Sequence, residues 1–248
     1  MPEPRHLRSA PITEAIIDAR VKARASFNPS AFVGIHAQIA DRFPVKEERK
    51  GGQVTFRVGS TGPTEPEFQD LGTQGFFFKS PDERLIAQFR NDGFTLNRLK
   101  PYTSWEDLFP IALDLWNLYV ATAAPEAVTR IGLRYINHIM LPDGVIELND
   151  YLRAVPPIPE ELPQFLGPFQ SRLTIHDPDA GCAAHVAQSF EPGHHGRGPT
   201  LLLDIDAFRE VDMVPGDPEV VATITHLHDF KNKIFFSMVT EDTLRAYI

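Results

Sequence analysis

The chain has one cysteine, Cys182, in 248 residues, together with two tryptophans and four methionines. A lone cysteine excludes a disulfide scaffold and fits a reducing compartment, so a cytoplasmic protein is expected. Long apolar runs are missing too. No stretch reaches the ~18 residues that a membrane-spanning helix requires. The first residues, Met1-Pro2-Glu3-Pro4-Arg5-His6, lack the apolar core of a signal peptide. Positive charge is scarce. Lys and Arg number 24 against 33 Asp and Glu, for a net charge of −9. The imbalance is confined to the half after residue 124, because the first half has equal numbers of each sign. Nucleic-acid binding is therefore not expected, since phosphate recognition needs concentrated Lys and Arg.

Catalytic signatures are also missing. The chain has no Gly-x-Ser-x-Gly, no His-Glu-x-x-His and no paired cysteines. Gly193, His194, His195, Gly196, Arg197 and Gly198 are glycine-rich, but they lack the Lys-Ser/Thr of a phosphate loop and precede a strand. His176, Asp177, Asp179, His185, Asp204 and Asp206 are near one another in sequence without any metal-ligand spacing. His226 and His228 are two apart on a helix, which turns them about 200° from each other. No metal and no cofactor are expected, and whether the protein is an enzyme stays open.

What is present is a core. Hydrophobic residues make up 42% and aromatics 10%, enough to exclude disorder. Residues 14–24 alternate, with Ala15, Ile17, Ala19, Val21 and Ala23 on one face, as a half-buried strand does. Asn28-Pro29 opens a helix with Phe32, Ile35, Ile39 and Phe43 on its apolar side. Gly51-Gly52 reads as a two-residue hairpin turn, and residues 60–73 as a loop. Strands are predicted near 75–79, 84–91 and 94–99. Ser104 caps a helix that ends at Pro125.

The second half repeats the order. A long strand occupies 127–140, a short helix 146–153, strands 169–176, 182–190 and 200–207, and a helix opens at Asp217-Pro218. The expectation is an α+β fold of a single domain, 1–248, with pseudo-equivalent halves 1–124 and 125–248. Each half reads strand–helix–strands–helix. Curved antiparallel sheet with long helices packed on one face follows, an element order like that of the TATA-binding-protein-like fold.

Alternation along 127–140 places Thr129, Ile131, Leu133, Tyr135, Asn137 and Ile139 on one face and Arg130, Gly132, Arg134, Ile136 and His138 on the other. Arg172, Thr174 and His176 share a face of a later strand, as do Asp204 and Asp206. Arg130, Arg134, His138, Arg172 and His176 are thus the candidate ligand-binding set on a polar sheet face, suited to a phosphorylated or nucleotide-like molecule. The same pattern describes a solvated face laced with cross-strand ion pairs. On the last helix, Asn232 stands between Lys231 and Lys233 beside Ile234, Phe235 and Phe236. Such a helix end is buried in the core or covered by a partner.

Four stretches carry a resemblance. They are Ala10-Pro11-Ile12-Thr13-Glu14-Ala15, the run Leu99-Lys100-Pro101-Tyr102-Thr103-Ser104-Trp105-Glu106, the strand segment Arg130-Ile131-Gly132-Leu133-Arg134-Tyr135-Ile136-Asn137, and Leu227-His228 with Asn232 to Phe236. With them the chain resembles a sporadically distributed family of bacterial proteins of about this length, to which no activity is assigned. The resemblance implies a bacterial protein and supplies no catalytic residue. The functional expectation is a non-enzymatic binding or regulatory module that acts through a protein partner or as a homodimer. The alternative is a sensor or enzyme for an anionic small molecule at the polar sheet face.

Overall fold

A computed structural model describes residues 5–248 except 57, 60, 61, 64–66, 145, 146, 165 and 194–197. The glycine-rich stretch with His194, His195 and Arg197 therefore lies outside the described residues.

The strands are β1 (Ile12–Lys22), β2 (Val45–Thr55), β3 (Val58–Gly59), β4 (Gly62–Pro63), β5 (Glu67–Lys79), β6 (Leu85–Arg90), β7 (Gly93–Leu99), β8 (Ala127–Met140), β9 (Phe169–Asp177), β10 (Cys182–Glu191) and β11 (Thr200–Met213). Nine of them form one antiparallel sheet in the order β2-β5-β6-β7-β1-β8-β11-β10-β9, and β3 pairs β4 apart from it. The helices are α1 (His36–Ile39), α2 (Trp105–Ala123), α3 (Pro218–Met238) and α4 (Glu241–Arg245), with 3-10 turns at Pro29–Ile35 and Leu148–Asp150.

This corrects the expected fold class. The chain is mostly sheet, with about 26% helix and only three helical segments of seven or more residues among the described residues. It is not an assembly of long helices laid over a sheet. Two local reasons account for the shift. The helix expected after Asn28 is a seven-residue 3-10 turn followed by one α-turn, although Phe32, Ile35, Ile39 and Phe43 are all buried as their spacing requires. Strand content is also larger than alternation suggested. Gly51 and Gly52 do not turn the chain. They sit inside β2, opposite Gly72 and Asp70 of β5, so much of the expected loop is strand. Of the short helix expected at 146–153, the described residues 147–153 form a 3-10 turn at Leu148–Asp150.

Only Gly75 to Lys79 of β5 pair with β6, so the rest of β5 and its partner β2 run beyond the sheet as a two-stranded arm. Gly75 permits the branching: a Cβ there would stand 2.2 Å from the Phe89 carbonyl oxygen of the neighbouring strand.

Alternation in β1 places Ala15, Ile17, Ala19 and Val21 in the core. In β8 the same holds for Ile131, Leu133, Tyr135, Asn137 and Ile139, but Thr129 is exposed and Val128 is buried instead. A bulge is the cause. Arg20 pairs with Arg130 while Val21 pairs with Val128, and this skip reverses the facing of the residues before it. Helix α2 starts where Ser104 Oγ accepts a hydrogen bond from the Asp107 amide at 3.1 Å. It buries Leu108, Leu115, Trp116 and Tyr119, and Tyr119 joins Phe32, Phe89 and Phe94 in an aromatic cluster. In α3, Asp217 caps the Glu219 amide at 2.8 Å. Ten residues of this helix are buried, including one lysine, Lys231.

Candidate functional site

The polar sheet face comes first, because the sequence pointed there. Arg130 is buried, with 8% of its surface exposed. Its guanidinium lies across Gly132, where a Cβ would come within 2.5 Å of it. From that position it donates to Asp206 at 3.0 and 3.2 Å, pairs with Asp18 at 3.5 Å, and stands 4.7 Å above the Phe208 ring. Asp18 also receives Arg90 of β6 at 3.2 Å and the Thr95 hydroxyl of β7 at 2.7 Å. Arg134 forms a two-pronged pair with Asp204 at 2.8 and 2.5 Å. These contacts run from β6 through β1 and β8 to β11 with alternating charge, so both arginines already hold carboxylates.

His138 is exposed and faces Leu202 of β11. Arg172 and His176 are exposed on β9, opposite Ala187 and Ala183 of β10. Strands β10 and β11 separate them from β8, a distance of about 14 Å at ordinary strand spacing. The structure therefore joins Arg130 and Arg134 through a shared acidic network. It does not gather the five candidates into one site.

A different place is concave. A cavity of about 250 Å³ opens between the segment Leu7 to Ile12, the start of α2, β8 and α3. All four stretches quoted for the resemblance reach it: Pro11 and Ile12 from the first, Tyr102 and Trp105 from the second, Tyr135 and Asn137 from the third, His228 and Asn232 from the last. The core face of β8 brings Tyr135 under α3, where the Lys231 Nζ stands 3.7 Å above its ring. Nζ donates to Asn232 Oδ1 at 2.6 Å. Asn232 in turn contacts His228 Nε2 at 3.3 Å. The His228 ring stacks on Trp105 at 4.2 Å, and Trp105 stacks on Phe109 at 4.5 Å. The Tyr102 and Tyr135 hydroxyls meet at 3.1 Å.

Burial governs the electrostatics here. Lys231 is 6% exposed, and no carboxylate of the described residues forms an ion pair with it. Desolvation pushes its pKa down to about 7, against a weak opposing pull from Asp229. Desolvation, helped by Lys231, pushes His228 down to about 3, so the imidazole is neutral at physiological pH. Burial raises Tyr102 to about 12 and holds Tyr135 well above the ordinary tyrosine range, which keeps both hydroxyls protonated. The cavity thus combines neutral donors, aromatic walls and one buried amine that titrates near neutrality, with Arg5 and Glu106 as the other charged groups of its lining.

Sequence reasoning named Asn232 with Lys231 and Lys233 but assigned that helix end to core or interface. The missing signal was three-dimensional, because Lys231 becomes unusual only once Tyr135 and Trp105 enclose it. The chain matches no family model, no curated protein and no solved structure. No helix among the described residues is long and apolar enough to cross a membrane.

Proposed function

We propose that the chain is a non-enzymatic binding module whose cavity beside Lys231 takes a small anionic molecule with an aromatic or apolar body. The supporting observation is the buried amine without a carboxylate. Burying a potential charge unpaired is costly, and such groups cluster at functional sites. An anionic group on a ligand would supply the missing partner, with Arg5 as a second cation on the lining and Glu106 as its one carboxylate. Trp105, Tyr102 and Phe235 provide apolar walls for the remainder. A volume of about 250 Å³ suits a molecule the size of an amino acid.

Phenylacetate and phenyl phosphate, with phenethylamine as the cationic control, test this by thermal shift and tryptophan fluorescence. Either anion should raise the melting temperature and perturb Trp105. Lys231→Met should weaken binding by roughly 10–100-fold, the worth of a charge-assisted hydrogen bond. No response to either anion, an equal response in the variant, or a preference for the amine would overturn the reading.

A second reading, homodimerisation, is favoured by the β2–β5 arm. Val54 and Phe68 are cross-strand partners there and both are exposed, as is the adjacent Phe56. Strand β2 also ends the sheet, and an uncovered edge with apolar residues is a pairing surface. Sedimentation should then show a dimer that Val54→Ser with Phe68→Ser converts to monomer. A wild-type monomer at high concentration would exclude it.

A further inference from the structure

On the helix side of the sheet edge, three side chains from three elements converge. Asp177 ends β9 and is the direct register partner of Cys182, which opens β10. Paired residues share a face, and His226 comes to them from α3. One carboxylate oxygen, the Cys182 Sγ and one imidazole nitrogen all lie within 4.8 Å of one another. A tetrahedral zinc ion with bonds of about 2.0–2.3 Å holds its donors about 3.5 Å apart, and small rotations of Asp177 and His226 close that gap.

We propose that Asp177, Cys182 and His226 form a zinc site with one open coordination position, stapling the β9–β10 hairpin to α3. The donor set selects the metal. Thiolate with imidazole suits zinc, whereas calcium and magnesium take oxygen donors. Charge agrees as well, because a divalent ion with one thiolate and one carboxylate is neutral. The thiol proton passes to solvent as the ion binds.

Among the described residues Asp177 accepts a hydrogen bond at Oδ1 alone, from the Ala180 amide at 3.2 Å, which leaves Oδ2 for this role. Arg209 is the one cation lining the adjoining cavity of about 340 Å³. It is turned to Glu219 at 3.1 Å and Thr223 at 3.4 Å, which offsets its charge. Small residues, Ala180 and Ala222, leave room for water as the fourth ligand. Ligand spacing along the chain does not reveal the set, because each residue belongs to a different element.

Cobalt(II) titration of the full chain is the test. One equivalent should give a thiolate-to-cobalt charge-transfer band with the intense visible bands of tetrahedral cobalt, and zinc should displace it. His226 is exposed, so His226→Ala leaves the core intact and is the primary variant. It should weaken cobalt binding by about a hundredfold or more, beyond the 10–100-fold typical of losing an outer-shell contact. Cys182→Ser should erase the charge-transfer band. A His194→Ala/His195→Ala variant should bind normally. The proposal fails if no charge-transfer band forms, if His226→Ala binds as tightly as wild type, or if the double-histidine variant abolishes binding.

Discussion

Lys231→Met should stabilise the protein at neutral pH while removing the cavity's affinity for anions. The two effects have one origin. Lys231 has a folded-state pKa of about 7 against 10.5 for a free lysine side chain. Between those values the unfolded chain binds a proton that the folded chain excludes. Stability from this group is therefore complete above pH 10.5 and is lost as pH falls toward 7, with a slope of about 1.4 kcal/mol per pH unit. The full span is on the order of 5 kcal/mol. Methionine has no such term and packs the same apolar surroundings. Urea denaturation at pH 7, 8 and 9 should show the variant ahead of wild type by a margin that narrows as pH rises. Anion binding runs the other way, because it needs the ammonium form. Wild-type affinity should fall about tenfold per pH unit above pH 7. A variant less stable than wild type at pH 7, or a pH-independent margin, would mean that Lys231 is a satisfied structural residue. A group that costs stability and yet stands in a cavity fits the usual trade between stability and function.

Arg130→Ala should be among the most damaging single changes to stability, at about 3–5 kcal/mol. The reason is what it leaves behind. Asp18 Oδ2 is buried without a hydrogen bond, and its cationic neighbours are Arg130 at 3.5 Å and Arg20 at 3.7 Å. Asp206 loses its two guanidinium bonds in the same step. Arg134 makes the shorter contacts, yet its side chain is 44% exposed against 9% for Arg130. Water can replace the Arg134 pair, so Arg134→Ala should cost about 1 kcal/mol or less. Chemical denaturation of both variants decides the matter. Equal costs would mean that the network does not depend on burial.

This ordering shows how far the sequence could be read. Alternation along residues 127–140 correctly separated Arg130 and Arg134 from Leu133 and Tyr135, and it set Asp204 and Asp206 on one face. It could not tell an anion site from an ion-pair ladder. That distinction needed Asp18, which reaches Arg130 only through long-range pairing of β1 with β8. Helix starts at Asn28, Ser104 and Asp217 were legible because capping is local chemistry. Gly51-Gly52 misled because a glycine pair permits a turn without compelling one, and β5 held it extended. The candidate cavity was legible only in pieces. Tyr102, Trp105, Tyr135 and Asn232 stood in stretches already singled out, but a one-dimensional pattern assigns no common neighbour to them. Lys231 entered that reading only as a neighbour of Asn232 on a helix end assigned to the core or an interface, with no role of its own.

The place of β1 in the sheet also shapes how the chain must be made. Its neighbours are β7 and β8, and its register with β8 extends to Asn137. Strand β1 is therefore made well before β8 (Ala127–Met140), and its second edge stays uncovered until β8 follows. During that interval β1 presents a row of unpaired backbone N–H and C=O groups along the edge that β8 later covers, beside the apolar face of Ala15, Ile17 and Val21. Nascent chains stalled before β8 emerges are accordingly the form of this protein most in need of a chaperone, and the closing of β8 onto β1 marks the end of that dependence.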